Sequence, residues 1–535
     1  MSAPRPSAAT EVLIVGAGPT GLMLANQLVR RGVRPRIIER HEGPARQTRA
    51  LGVQARTLEI YEHLGIAQRA IELGTPSMGM QMWRNGKFAA RVPVGDIGRD
   101  QTPYPYVLIL GQDDNERLLG EILQRAGIRV EWNTELVGLT QENESVRVTL
   151  KRPDATREET TAAWVAGCDG ARSAVRDFNR IPFVGAPYEH VFYVADTRMT
   201  GPMAPGEVNG YLWPRGFHLF FPLRGIEHWR LVGIVPEDLR GREGLTFEDV
   251  VPSIQREAQS RLSFQECTWF STYRIAHRRA ERFRERRCFV LGDAAHVHSP
   301  VGAQGMNTGL QDAYNLAWKL GLVVSGAAES SLLDTYARER EPVAQQLLAT
   351  TDRAFSFLVS GNRLAQAARL QLLPRGLALA MGIGRLRKAA FRTISQTGIR
   401  YRKSSLSVTL AGLPREAPQA GDRFPWFEVR QSPGQPARGI FADLDDTRFT
   451  LVVRGQPGLP SDPPGRSGLL RTTTISEAGV EPSLERLHIP SPSFFLVRPD
   501  GYIGLCGGRL DPQEVARYFD RVLGGPRRPD SPENA

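Results

Sequence analysis

A short apolar run ending in three spaced glycines limits this chain more than any other feature. The string is Val12-Leu-Ile-Val-Gly16-Ala-Gly18-Pro-Thr-Gly21. It predicts a buried parallel strand over residues 11–15, a tight turn at Gly16 and a helix over 20–31. In such a unit Gly16 closes the turn, Gly18 lets backbone approach a pyrophosphate, and Gly21 lets the helix pack on the sheet. The helix start presents free N–H groups and a positive dipole end to phosphates. A second apolar strand then ends in Glu39, 18 residues past Gly21, with Arg40 beside it. An acid at that place can bond both hydroxyls of a ribose. Gly16, Gly18, Gly21, Glu39 and Arg40 are therefore the first candidates for holding a dinucleotide.

A second glycine-punctuated stretch lies far along the chain: Cys288-Phe-Val-Leu-Gly292-Asp293-Ala-Ala-His296, running on to Pro300-Val-Gly302-Ala-Gln-Gly305-Met-Asn307. Asp293 follows a strand over 289–291 and can accept a hydrogen bond from a ribityl hydroxyl. Pro300, Gly302, Gly305 and Gly309 let backbone approach a flat ring. A helix from about residue 305 would aim its N–H groups at that ring and stabilise the anionic charge of a reduced flavin. Two grips so far apart in sequence imply an extended dinucleotide, and FAD is the first candidate. Between them, Asp169-Gly170-Ala-Arg172-Ser173-Ala-Val-Arg176 ends a strand and enters a helix. Its acid can serve a ribose or pyrophosphate, and its arginines can serve phosphates. Leu310, Ala313, Leu316, Ala317 and Leu320 are helix-spaced and read as core.

A chain of 535 residues exceeds one ordinary core, so two or three domains are expected. With 41% hydrophobic and 23% charged residues it reads as globular. No apolar run approaches the roughly 20 residues of a membrane span. Residues 1–10 lack the basic start and apolar core of a signal peptide, so a cytoplasmic protein is expected. The net charge is +11. No basic run is interleaved with aromatics, which argues against nucleic acid as a partner and for an arginine-rich surface with sites for anionic cofactors. The densest basic stretches are 274–287 and 385–403; the latter could also hold a protein partner. Cys168, Cys267, Cys288 and Cys506 form no C-x-x-C pair and read as reduced and structural. His296 and His298 have no third ligand nearby in sequence, so no metal is expected.

The pattern along the chain is discontinuous. Strand, helix, strand and helix fill the first 75 residues, and a helix over 112–126 leads to strands at 129–133 and 146–151. Alternating runs from 181 to 273 suggest an antiparallel sheet with one helix over 246–259. Helices dominate from 305 to 392, and after 401 proline and glycine cluster around short strands. The fold class is α/β: a Rossmann-like nucleotide-binding domain (1–75, 110–180 and 275–400), an inserted antiparallel-sheet substrate domain (76–109 and 181–274) and a small C-terminal α/β domain (405–535).

These three segments, in this order, resemble the group A flavoprotein monooxygenases, single-component FAD-dependent aromatic hydroxylases. The likeness is nearest to the phenol hydroxylase, pentachlorophenol monooxygenase and polyketide hydroxylase branch. Gln54-Ala-Arg56-Thr-Leu-Glu-Ile-Tyr61, the block 292–320 and Leu333-Asp-Thr-Tyr336-Ala-Arg-Glu-Arg340-Glu-Pro-Val-Ala344 also carry it. Members of that branch have a C-terminal thioredoxin-like domain without redox cysteines, and Phe495-Leu-Val-Arg498-Pro-Asp-Gly501-Tyr502 fits one. The resemblance implies that Arg49 and Gln112 touch FAD. It implies that Asp169 serves both FAD and transient NADPH or NADH, and that Pro300, Gly305, Met306 and Asn307 border the isoalloxazine. The implied activity is NAD(P)H- and O2-dependent hydroxylation of an aromatic small molecule through a flavin C4a-hydroperoxide. A homodimer is a further expectation of the resemblance.

The residues themselves leave the rest open. Tyr211, Trp213, His218 and Phe221, with Tyr273, are candidates for a substrate pocket on the inserted sheet. No catalytic base is assigned; Gln54 stands where some relatives carry a more basic residue. Baeyer–Villiger or epoxide-forming oxygenation, a reductase or oxidase without oxygen insertion, and a non-catalytic FAD-bound partner protein are the alternatives. The Trp-x-Trp-x-Ile-Pro string of flavin halogenases is missing, and Tyr211-Leu-Trp-Pro does not match it.

Overall fold

The structure, a computed structural model, describes residues 10–45, 50–214, 216–299, 302–373, 376, 382–430, 436–458, 462, 467–475 and 482–524. Arg49 and Pro300 lie outside the described residues.

Thr10–Val15 runs through the first of two eight-stranded sheets, parallel to Arg157–Gly167 on one side and Arg36–Ile38 on the other. Cys288–Val290 continues the parallel set beyond Arg157–Gly167, and Val130–Glu131 continues it beyond Arg36–Ile38. These strands are apolar along their length because both faces are covered: Val12, Leu13, Ile14, Cys288, Phe289 and Val290 are all fully buried. The helices Pro19–Val29 and Gly305–Val324 pack together, and Asn26 Nδ2 donates to Leu119 O of Gln112–Arg125 (2.9 Å). The helix-spaced set Leu310, Ala313, Leu316, Ala317 and Leu320 is core, each fully buried. Parallel strands finish at the same edge, so Gly16, Glu39, Cys168-Asp169 and Leu291-Gly292 converge there.

The second sheet is built on two 18-residue strands, Phe183–Thr200 and Ser263–Ala280. His228–Ile234, Gly216–Pro222, Val208–Trp213, Met80–Arg84 and Lys87–Val92 follow in order, with Val208–Trp213 parallel to Met80–Arg84. Stretch 76–109 does not join it whole. Val94–Gly98 is a short helix, and Val107–Ile109 pairs with Gly52–Val53 and Thr75–Ser77 in a three-stranded sheet. His296–Val297 adds to the free edge of Ser263–Ala280, directly tying the second glycine segment to this sheet.

The third unit is a five-stranded mixed sheet, ordered Val408–Thr409, Ile503–Gly507, Ser493–Val497, Phe449–Arg454 and Leu470–Ile475. Pro512–Leu523 covers one face, where Phe449 meets Trp318 of Gly305–Val324 edge-on (5.7 Å, 87°). The Asp500-Gly501 turn, with Gly501 at φ +78°, joins Ser493–Val497 to Ile503–Gly507. Among the described residues no helix is long and apolar enough to cross a membrane.

Candidate functional site

Gly16 carries a φ of +105°, and a Cβ there would stand 2.4 Å from Cys168 O, so no other residue fits the turn. Gly18 is the opposite case: a Cβ would meet nothing within 4 Å. Its open side, at the start of Pro19–Val29, is where a pyrophosphate could reach backbone. Gly21 would place a Cβ 2.0 Å from Gly16 O, which locks helix to turn. Glu39 braces the same turn. Its Oε2 accepts from Ala17 N–H (2.9 Å) and its Oε1 from His41 N–H (3.1 Å). Arg40 is exposed beside it.

The second segment comes close to the first at the Thr20 side chain. Cβ atoms built at Gly292 and Gly309 would lie 2.6 and 2.4 Å from Thr20 Oγ1. Leu291 leads into a 3-10 turn, Gly292–Ala294. Asp293 is solvent-exposed yet closely walled by protein. Burial among those walls raises its carboxyl pKa, opposed by His296.

Asp169 completes the edge. Its Oδ2 caps Ala174–Phe178 by accepting from Ala174 N–H (2.7 Å) and Val175 N–H (3.2 Å). Its Oδ1 is buried with no partner among the described residues, and burial raises its pKa against those hydrogen bonds. A buried orphan acceptor is costly, and a ribose or ribityl hydroxyl would satisfy it. Arg176 takes another role: it turns inward, donating to Ala294 O (3.2 Å) and Ala171 O (3.1 Å) beneath the Gly292–Ala294 turn.

At the start of Gly305–Val324 the Asn307 side chain is saturated. Its Oδ1 accepts from Gln54 N–H (2.8 Å) and Thr57 Oγ1 (2.7 Å), and its Nδ2 donates to Gly52 O (2.8 Å) and Ala303 O (2.9 Å). Only its backbone can face a ring. Met306 Sδ accepts from Asn115 Nδ2 (3.3 Å), and Gln112 donates from Nε2 to Glu116 (2.8 Å) and from its N–H to Ala50 O (3.2 Å). Gln54 Nε2 reaches Gly302 O (3.2 Å), while its Oε1 is buried without a partner among the described residues.

Two features escaped the sequence reading. Asp312, fully buried, gathers Gly292 N–H (3.1 Å), His296 Nε2 (2.7 Å) and Arg340 Nε (2.6 Å), pinning the Asp293 turn from below. Burial alone would raise its pKa, but Arg340 and His296 hold it below the usual carboxylate range. His298 is the other. Its Nδ1 donates to Ser299 O (2.7 Å), and its Nε2 is buried and unpartnered among the described residues, 3.1 Å from where a Gly305 Cβ would be. Burial, then His296, lowers its pKa to about 4, so it is a neutral acceptor at the helix start. The His-x-His spacing was the available signal. Among the described residues no group of three or more His, Cys, Asp or Glu could hold a metal ion.

The four pocket candidates do not all share one face of the sheet. Tyr211 stacks on Trp83 (5.5 Å, 10°) and packs in the cluster under Phe247–Ala258. His218, stacked with Trp213 (5.8 Å), bonds Glu257 of that helix (2.8 Å) and Tyr193 OH (2.8 Å). By strand alternation Phe221 belongs to the opposite face. There Phe192, Phe217, Ile234 and Ile275, with Tyr273 at their margin, pack against Phe355 of Asp334–Val359. That helix also carries Arg340, which bonds Asp312 beneath the Asp293 turn.

Strand ends that converge on glycine turns, with orphan carboxylate and imidazole acceptors around them, define a dinucleotide-binding oxidoreductase site, and the residues present fit FAD. Comparison with known proteins agrees. Residues 9–351 match the family model described as FAD binding domain, and the chain belongs to that family, the group A flavin-dependent aromatic hydroxylases. It is 34% identical to 6-methylpretetramide 4-monooxygenase of Streptomyces rimosus over 93% of this chain and 91% of that protein. It is also 34% identical to pentachlorophenol 4-monooxygenase of Sphingobium chlorophenolicum, over 85% and 81%. Among solved structures, the anhydrotetracycline hydroxylase OxyS of Streptomyces rimosus superposes with a TM-score of 0.75 at 28% identity, covering 97% of this chain and 99% of that one. The protein is an FAD-dependent monooxygenase, using O2 and a reduced nicotinamide.

Proposed function

We infer that the protein hydroxylates a polycyclic phenolic compound of polyketide type, as the names of several relatives say of those proteins. The observation that carries the placement of FAD is the contact of the two glycine segments at Thr20, with Asp169 Oδ1 left free beside them. In this reading Gly16, Gly18, Gly21, Glu39 and Arg40 hold the adenosine and pyrophosphate half, and the family resemblance adds Gln112 and Arg49 as cofactor contacts. Asp169 and Asp293 hold the ribose and ribityl side, and Gly305, Met306 and the Asn307 backbone border the ring. Bound FAD, reduced by NADPH or NADH, supplies the electrons that activate O2, one atom entering the substrate and the other leaving as water.

The chain's own groups do the rest. The open N–H groups at the start of Gly305–Val324 favour negative charge there. Neutral His298 and the Gln54 carbonyl offer acceptors that can orient a hydroxyl. The Phe192–Phe217–Tyr273 face excludes water from whatever lies over the nucleotide edge. A cytoplasmic homodimer belongs to the same proposal, supported by four free cysteines and the family resemblance, with the domain boundaries given above except that residues 94–109 leave the sheet domain.

The test is a visible flavin spectrum of the purified protein, followed by NADPH- and NADH-driven flavin bleaching with and without polycyclic phenols. Oxygenated product is scored against peroxide. Peroxide alone with every phenol and quinone tried would replace hydroxylation with an oxidase reading. Sedimentation velocity decides the dimer.

A further inference from the structure

A cleft of about 470 Å³ opens at the seam between the C-terminal unit and the rest of the molecule. That is within the size range of small-molecule sites, roughly 300–1,000 Å³. Six arginines line it against three acids, Asp100, Glu416 and Asp422, and two of the acids are already committed. Asp422 takes Arg402 (2.6 Å) and Arg400 (3.4 Å), and Asp100 takes Arg486 (2.9 Å). Arg423 is held by Glu59, behind the wall.

Two guanidinium groups are left over. Among the described residues Arg392 donates its one side-chain hydrogen bond to the Gln101 amide oxygen (3.0 Å); burial and then Arg400 and Arg423 lower its pKa, with Asp422 a weak opposing neighbour. Arg415, exposed at the rim, has no carboxylate partner among the described residues. Trp426, Pro418 and Pro425 line the same cleft and supply apolar surface on which a flat ring can lie. Uncompensated planar cations with an aromatic wall suit a phosphate attached to a purine. Repulsion of Arg392 by Arg400 and Arg423 disfavours the empty cleft.

The cleft also touches the flavin edge through one residue. Thr397 and Gly398 line it, and Gln396 just before them donates to Thr308 Oγ1 (2.9 Å) and accepts from Gln311 Nε2 (2.5 Å), in the first two turns of Gly305–Val324. We propose that this seam cleft is a second nucleotide-phosphate site, separate from the dinucleotide edge, where Arg392 and Arg415 receive the phosphate and Trp426 the base. It does not depend on the substrate proposed above. An occupant pressing on Thr397 and Gly398 is felt at the start of the flavin-facing helix.

The experiment uses FAD-loaded enzyme and calorimetry at low salt, with adenosine 2′,5′-bisphosphate and inorganic pyrophosphate as probes. The bisphosphate binds saturably, pyrophosphate binds more weakly, and Arg415→Glu and Arg392→Gln each weaken the bisphosphate at least tenfold. Arg415 is exposed, so its variant tests the site even if Arg392→Gln folds poorly. No saturable heat from the bisphosphate, or unchanged binding in Arg415→Glu, overturns the proposal. Pyrophosphate binding without bisphosphate binding overturns the nucleotide assignment. NADPH-driven bleaching followed in the same variants stays at the wild-type rate; its loss together with binding would mean that the cleft is not separate from turnover. A colourless protein that still binds the bisphosphate would sink only the flavin reading.

Discussion

Gly309→Ala tests whether the two glycine segments are held at a required spacing. A Cβ at 309 would stand 2.4 Å from Thr20 Oγ1 and 3.1 Å from the Gly292 α-carbon, where ordinary van der Waals separation is 3.4–4 Å. The helices Gly305–Val324 and Pro19–Val29 must therefore part by about an ångström, an overpacking strain of roughly 1–3 kcal/mol. Alanine returns about 1 kcal/mol of helix propensity. The net loss is then up to about 2 kcal/mol, or roughly 30-fold in affinity if FAD needs the native spacing. Thr20→Ala removes the obstructing oxygen, so that only the close approach to the Gly292 backbone remains as strain. Titrating apo-protein with FAD by fluorescence quenching in wild type, both single variants and the double variant closes the cycle. Coupling between the sites should be favourable and within about 0.5–3 kcal/mol. Wild-type FAD affinity in Gly309→Ala, or no recovery in the double variant, refutes the idea that Thr20 sets the distance.

Asp293→Asn should weaken FAD binding yet raise the melting temperature of the apo-protein at pH 7. The folded pKa of Asp293 is raised, so its charged form costs stability above that pKa, and the variant's advantage should vanish in acid, where wild type is protonated. An advantage that persists in acid would contradict this. His298→Phe removes a neutral acceptor; the bound flavin spectrum should shift and turnover fall, while the wild-type pH–rate profile shows no inflection from His298 above pH 5, given its pKa of about 4. Glu339→Gln should cost about 3–5 kcal/mol in denaturant unfolding. This carboxylate is fully buried and accepts from Lys319 (2.8 Å), Arg498 (2.7 and 3.0 Å), Asn315 (2.8 Å) and Ser404 (2.6 Å). A loss under 1 kcal/mol would mean that the cluster relaxes freely.

What could be read from sequence was local. The run Val12–Val15 with its glycines dictates strand, turn and helix within twenty residues, and Asp293 follows a strand in the same way. Contacts made across the chain were not legible. Asn307 looks like a ring-bordering polar residue until Gly52, Gln54 and Thr57 arrive from 250 positions away to occupy it. Tyr211, Trp213 and His218 share a face that period-two alternation could predict, but nothing in their order says that Phe247–Ala258 covers that face. Asp312 and Arg340 are ordinary helix positions in sequence, and only packing shows them propping one turn.

The Arg498–Gly501 turn reaches out of its own sheet. Arg498 and Asp500 complete a charge cluster with Glu339, Lys319 and Asn315, on the two helices that frame the flavin edge. Burial brings the Lys319 pKa down to about 8 even with Glu339 beside it. Cutting the chain before residue 405 would strand an acid and a cation in oil. Anyone building chimeras among these hydroxylases would have to transplant the tail together with the helix positions that receive it.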